Sequence, residues 1–167
     1  SDSYIDSRGQ TNYRIERYFK KYDPKKSYDS IPWMIKEVWL MNADNKSVQV
    51  LENNIRFTKL SFPVISKEEW DGNALNTLGT MKYSYEYIDY PEKINSTSFA
   101  SVLKVNQYFF RTLLSLQNYS EKYARGVGLV YKEYTYVVNR KTLNALVENN
   151  IDSGIVYKQS VVSYGRE

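Results

Sequence analysis

The chain contains no cysteine and no histidine. Those two absences exclude disulfides, thiol nucleophiles, Cys/His zinc sites, Ser-His-Asp triads and imidazole acid–base chemistry. Missing cysteine does not assign a redox compartment, because an extracytoplasmic bacterial protein can do without disulfides. No stretch approaches the ~20 apolar residues that span a bilayer as a helix, and no signal peptide is visible. Repeats, low-complexity tracts and internal domain boundaries are also lacking. What remains is a chain of 167 residues, a length that fits one domain of roughly 100–150 residues or slightly more.

Tyrosine is what the sequence has in excess. It accounts for 17 positions, and aromatics reach 16% of the chain. Tyrosine pairs an apolar body with a polar tip and suits half-buried pleated surfaces, so this composition reads first as a β-rich domain. The net charge of +4 is a mild basic bias that favours acidic surfaces without requiring nucleic acid.

Apolar–polar alternation runs along most of the chain. It predicts strands over 13–22, 35–44, 47–51, 55–64, 81–90, 99–107, 128–138 and 155–164. Glu52-Asn53-Asn54 reads as a hairpin or bulge between two of them, and Pro63 ends a ladder because it cannot donate a backbone hydrogen bond. The segment 66–80 reads as a loop with one helical turn at most, and 91–98 as a turn. Residues 109–124 are ambiguous: Phe109, Leu113 and Leu116 fit a helical stripe, which allows a short helix. The segment 139–154 connects the last two strands. About eight short strands without alternating helices predict a mainly β fold. We expect a single antiparallel sheet system (a curled half-barrel, barrel or sandwich) with at most one or two short helices. Residues 1–12 are expected to be a flexible lead-in, and 13–167 a single β-rich domain.

Motifs with chemical meaning are scarce. Gly126-Val127-Gly128 is no dinucleotide fingerprint, since strand rather than helix follows it. Alternation instead puts both glycines on one strand face as a side-chain-free notch. Such gaps are often covered by rings from a neighbouring strand; the row Tyr83, Tyr85 and Tyr87, expected to share one face, is the first candidate. A bulge at Gly126 with positive φ is the alternative. Asp71-Gly72-Asn73 and Asp44-Asn45 are fragments of a calcium loop without its full spacing, and are turn residues first. Glu68, Glu69, Asp71, Glu86 and Asp89 are the carboxylates available for a hydrolase, but a glycosidase needs two of them at defined separation across a cleft. No catalytic residue, metal site or cofactor is assigned. The basic stretch 14–26 interleaves lysines and arginines with aromatics, as single-strand nucleic-acid grooves do. Its charges split between two faces, so edge-strand lysines are the simpler reading and no nucleic-acid partner is expected. Trp39, alternating with Ile35 and Met41, reads as core. Trp70 sits in a polar loop and is the tryptophan best placed to meet a partner. Trp70, Asn73, Tyr83, Tyr85 and Tyr87 are therefore the candidate ligand contacts, with Gly126 and Gly128 structural.

Several segments taken together resemble a known group. RYFKKYD, NNIRFTKLSFPV, WDGNALN, FASVLKVNQ, EKYARGVGLVYKEY and SGIVYKQSVVSYG occur in this order across 13–166. The set resembles a family of small cell-envelope lipoproteins of Bacteroidetes; its most specific pieces are W-x-G-N (Trp70, Gly72, Asn73) and Y-A-x-G-V-G-L-V-Y-K-E (Tyr123 to Glu133). The resemblance implies an exported precursor with a lipidated N-terminal cysteine upstream of Ser1, and a β-rich domain in the periplasm or anchored at the outer membrane. It carries no catalytic residues to transfer. The expected function is a non-enzymatic binding or assembly module whose partner is an envelope protein, a glycan or an apolar small molecule. The membrane is reached only through the lipid anchor. A lipocalin-like carrier of an apolar ligand is the alternative, and a carboxylate-based glycan hydrolase the third reading.

Overall fold

A computed structural model describes residues 3–7, 9–139 and 151–165. The connection expected over 139–154 thus lies largely outside the described residues. The protein is mainly β and antiparallel. Eleven strands form two sheets, with one single-turn 3-10 segment at Tyr28–Ser30 and no α-helix among the described residues. Neither sheet closes into a barrel, so neither encloses the cavity that a lipocalin-like carrier needs.

The chain divides into two compact units, one per sheet. The first comprises residues up to Phe62 together with Asn73–Gly79. Its sheet runs β1 (Ser3–Ile5), β2 (Thr11–Phe19), β3 (Met34–Ala43), β4 (Ser47–Glu52), β5 (Ile55–Ser61) in sequence order, a meander of hairpins. Within the expected lead-in, Ser3–Ile5 pairs with Thr11–Tyr13. The reversal between them is held by the Asp6 carboxylate, which accepts from the Gln10 N–H at 2.9 Å. The Glu52-Asn53-Asn54 expectation resolves as a two-residue hairpin: Glu52 pairs with Ile55, and Asn53 and Asn54 both take positive φ, which asparagine tolerates better than most residues. Trp39, Val50 and Leu60 are buried on one face of this sheet. The Arg17 guanidinium lies 4.0 Å over the Trp39 ring and is ion-paired to Glu37. Ile35, expected with Trp39 in the core, is 56% exposed. The ladder skips Lys36 between Glu37 and Ile35, and a one-residue slip turns every later side chain to the other face.

The second unit comprises Pro63–Gly72 and the chain from Thr80 onward. Its strands are β6 (Glu69–Asp71), β7 (Lys82–Ile94), β8 (Thr97–Arg111), β9 (Ser115–Ala124), β10 (Gly128–Val138) and β11 (Ser153–Ser160), again ordered as in the sequence. Two expectations change here. The proposed turn over 91–98 shrinks to Asn95-Ser96, because β7 runs through Pro91 to Ile94. Proline is tolerated there since the ladder is irregular on both sides of it. The short helix allowed over 109–124 is a hairpin. Thr112 Oγ1 accepts from the N–H groups of Leu114 and Ser115 and forces the reversal. Phe109 and Leu113 are 60% and 72% exposed, so the helical stripe had nothing to bury against. Ile94, Phe99, Val102, Ala124 and Val130 form the buried cluster of this unit, with Tyr87 and Tyr131 packed on it.

The ring-covered notch is not found at the two glycines, whereas the positive φ expected of Gly126 in the alternative reading is, within a turn rather than a bulge. Gly126 and Gly128 have φ of +74° and +100°, and a Cβ built on either would meet nothing within 4 Å. No tyrosine covers them. They serve the β9–β10 reversal, where the Val127 N–H closes on the Ala124 carbonyl at 3.1 Å; positive φ at such positions is what favours glycine. The ring-covered glycine is Gly72, across which the Tyr83 ring lies.

Candidate functional site

Cross-strand register decides which side chains meet in a sheet, because directly opposed residues point to the same face. In the second unit it assembles an aromatic row. Trp70 on β6 opposes Tyr83 on β7. Past the irregularity at Gln107, Tyr108 on β8 opposes Tyr119 on β9, Tyr119 opposes Tyr134 on β10, and Tyr134 opposes Tyr157 on β11. Ser84 opposes Asn106 and Tyr85 opposes Val105, which puts Tyr83 on the same face as this run. Each strand of the six-stranded sheet thus gives at least one aromatic ring to a single face. Trp70 meets Tyr83 edge-on at 5.9 Å and Tyr85 at 4.7 Å. Tyr108 and Tyr119 lie 5.6 Å apart, and Tyr119 and Tyr134 stack at 4.3 Å with an interplanar angle of 8°. Aromatic pairs in these geometries contribute about 0.5–1.5 kcal/mol beyond their buried area.

Exposure grades along the row. Tyr83 is 3% exposed and Tyr85 1%, whereas Tyr134 and Tyr157 are each 38% exposed. The β6–β7 end is therefore core and the β10–β11 end is surface. Beside it runs a second register row, Phe110, Gln117, Tyr136 and Ile155, whose Phe110, Tyr136 and Ile155 are exposed. The phenol tips are ordered by short polar links: Tyr119 donates to Gln117 at 3.2 Å and Tyr157 to Gln159 at 2.9 Å. Burial, with the neighbouring phenol of Tyr134, pushes the Tyr119 hydroxyl well above the ordinary phenol range, so it stays protonated. Toward the other border, the Glu121 carboxylate is 1% exposed; it takes the Lys132 ammonium at 3.1 Å and the Tyr123 hydroxyl at 2.6 Å. A paired, hydrogen-bonded charge is the form in which a buried carboxylate is tolerated.

The row ends at β11. All eight residues of β11 are exposed, and no strand lies beyond it among the described residues. Backbone N–H and C=O groups on the outer side of such an edge are free to pair with another chain. Gly154, second in the strand, has φ of +137°, and a Cβ built on it would run into the Tyr136 carbonyl oxygen, so β11 lies flush on β10 there.

Of the residues singled out from sequence, Trp70, Tyr83 and Tyr85 come together, but as a buried aromatic cluster. Tyr87 is on the opposite face. The ladder advances two residues on β7, from Tyr85 to Tyr87, for one on β8, from Val105 to Lys104, so the expected three-tyrosine face is broken by a bulge at Glu86. Tyr87 donates to Glu92 at 2.6 Å beside Lys122. Burial acts to raise the Glu92 carboxyl, but the hydrogen bonds from Lys122 and Tyr87 and the nearby lysine charges outweigh it and hold the group below its usual range. Asn73 is 4% exposed and organises its own loop: it donates to the Gly79 carbonyl at 2.7 Å and accepts from Asn76 at 3.2 Å. Tyr108, Tyr119, Tyr134 and Tyr157 went unselected in the sequence because they are far apart along the chain. The one signal available was an aromatic within each of four successive strands.

Most carboxylates raised for hydrolysis are dispersed into structural contacts; the exception is Glu68, whose Oε2 is buried without a hydrogen-bond partner among the described residues. Glu69 meets Lys82 at 3.0 Å, Glu86 meets Lys104 at 2.7 Å and Asp89 meets Arg125 at 2.9 Å. Asp71 accepts from the Met81 N–H at 2.9 Å, and Asp44 from the N–H groups of Lys46 and Ser47 at 2.7 Å each; both act as turn residues. No group of three or more potential metal ligands occurs among the described residues. Compared with known protein families, curated proteins and solved structures, the chain matches none.

Proposed function

We propose that this chain is a non-enzymatic binding or assembly module of the bacterial cell envelope, and that it captures an extended segment of a partner protein along β11. The observation that carries this reading is the coincidence of the aromatic row with the exposed edge. A strand added to β11 gains backbone hydrogen bonds for affinity, while alternate side chains supply specificity. Tyr157 is the last register member of the row, opposite Tyr134, so an aromatic or β-branched residue opposite it on the incoming strand would extend the row by one member. The Tyr157 hydroxyl donates to Gln159 at 2.9 Å, which restrains the ring and lowers the entropy lost on binding. The envelope address rests on the resemblance of W-x-G-N and Y-A-x-G-V-G-L-V-Y-K-E to Bacteroidetes lipoproteins. Attachment through a lipidated cysteine upstream of Ser1 belongs to the same proposal.

The test is photo-crosslinking in the native host with benzoyl-phenylalanine in place of Tyr157, and with the same group in place of exposed Tyr4 as control. A discrete protein adduct from position 157 alone, lost when Gly154→Pro disrupts β11, is the expected result. No adduct, or adducts shared equally by the two positions, would refute the reading. A glycan or lipid co-purifying in native mass spectrometry, with no protein partner, would refute it as well.

A further inference from the structure

In the first unit, β4 reaches β3 only as far as Leu40, and β1 reaches β2 only as far as Tyr13. From Ile15 and Trp39 onward the two strands pair with each other alone, ending at Phe19 opposite Met34. The β2–β3 hairpin is therefore a two-stranded arm, and residues 20–33 form its tip. That tip is aromatic and basic. Tyr22 is 82% exposed, Tyr28 62% and Trp33 60%, next to exposed Met34 and Ile35. The segment Lys20–Lys36 holds five lysines against two aspartates, a net +3 out of +4 for the whole chain.

The rings at the tip are held in place. The Lys20 ammonium sits 4.2 Å from the Tyr28 ring centre and 5.0 Å from that of Trp33, and donates to the Tyr28 carbonyl at 2.9 Å. Tyr28 and Trp33 meet edge to face at 6.5 Å. Lys21 and Lys25 are exposed, and neither ammonium meets a carboxylate among the described residues. Elsewhere on the tip lies a hollow of about 360 Å³ lined in part by Lys21, Tyr22, Asp23, Lys26, Ile31 and Pro32.

We infer that the tip of the β2–β3 arm docks on an anionic lipid bilayer surface. Indole and phenol rings held in water, flanked by lysines, are the combination that settles at a bilayer interface: the rings enter the headgroup layer and the ammonium groups meet lipid phosphates. A groove for single-stranded nucleic acid would instead alternate its rings and cations along a track. Here they are gathered at one end of a hairpin. This contact requires no lipid anchor and no strand at β11, so it stands apart from the proposed capture function.

Vesicle sedimentation of the full chain tests it. The protein is expected to sediment with phosphatidylcholine vesicles containing phosphatidylglycerol and to stay in solution with phosphatidylcholine alone. Salt at about 0.5 M should release it, because screening shortens the reach of surface charges. Lys21→Glu with Lys25→Glu, both at exposed positions, should weaken partition by about tenfold or more, near the scale set by headgroup attraction per lysine. Trp33→Ala should also weaken it, and Tyr157→Ala should leave it unchanged. Equal binding to the two vesicle types would overturn the inference, as would no binding, indifference to the lysine reversals, or preference for a single-stranded oligonucleotide over vesicles.

Discussion

Gly72→Ala isolates a single packing contact in the core of the second unit. A methyl group built on Gly72 would stand 2.5 Å from Cε1 and Cε2 of the Tyr83 ring and closer still to Cζ. The ring cannot step aside at low cost, since Tyr83 is 3% exposed and edge-packed on Trp70 at 5.9 Å. Overpacking a filled core costs roughly 1–3 kcal/mol. Disturbing the Trp70–Tyr83 pair adds about 0.5–1.5 kcal/mol. The expected destabilisation is therefore roughly 2–4 kcal/mol, which for a chain of this size lowers Tm by roughly 5–15 °C. Urea melts followed by tryptophan fluorescence would measure it, since Trp70 reports on the contact directly. The decisive control is a double-mutant cycle. With Tyr83→Ala already in place the methyl has room and Gly72 is not at positive φ, so adding Gly72→Ala should be neutral or stabilise by up to about 1 kcal/mol, the gain from restricting the unfolded chain. Equal stability of Gly72→Ala and the native protein would refute this account. So would an undiminished cost in the Tyr83→Ala background.

Other predictions follow the same geometry. At Gly126 the constraint is positive φ in open space, so Gly126→Asn should cost clearly less than Gly126→Val, about 1–3 kcal/mol for the latter; equal costs in chemical denaturation would contradict it. Gly154→Ala should detach β11, because the added carbon runs into the Tyr136 carbonyl and the Val137 backbone; hydrogen exchange should show lost protection in β11 while β7 and β8 amides keep theirs. Glu92, with its carboxyl held below the usual range, contributes stability that is present above its unfolded value and lost as pH falls through the folded one. Glu92→Gln should accordingly flatten the acid limb of the stability–pH profile below about pH 4. The Tyr131 hydroxyl is pushed up to about 12, first by burial and then by Glu133. Stability is complete below the ordinary phenol value and declines between about 10 and about 12 as the unfolded state ionises first. Ultraviolet titration should show Tyr131 phenolate appearing late, and Tyr131→Phe should remove that step.

Much of the fold was legible because strand alternation is local. The periodicity over 35–44, 47–51 and 128–138 needs only neighbouring residues, and each segment is a strand close to its expected bounds. Asn53-Asn54 marks a hairpin because asparagine accepts positive φ. Absent cysteine and histidine exclude whole classes of chemistry without any structure. The misread segments depended on partners instead. The helical stripe at Phe109, Leu113 and Leu116 was a pattern without a surface to cover. The skip at Lys36 moved Ile35 out of the core, and the bulge at Glu86 moved Tyr87 to the other face.

By itself, then, the sequence determined the β class, the Asn53-Asn54 hairpin and the exclusion of thiol and imidazole chemistry. Those properties follow from residue type and short-range spacing. Tertiary structure alone decided which tyrosines are buried, which glycine carries a ring, and that Tyr108, Tyr119, Tyr134 and Tyr157 stand in one row ending at an open edge. Register is the physical reason. It is set by long-range pairing and by single-residue bulges, each of which turns the remainder of a strand over.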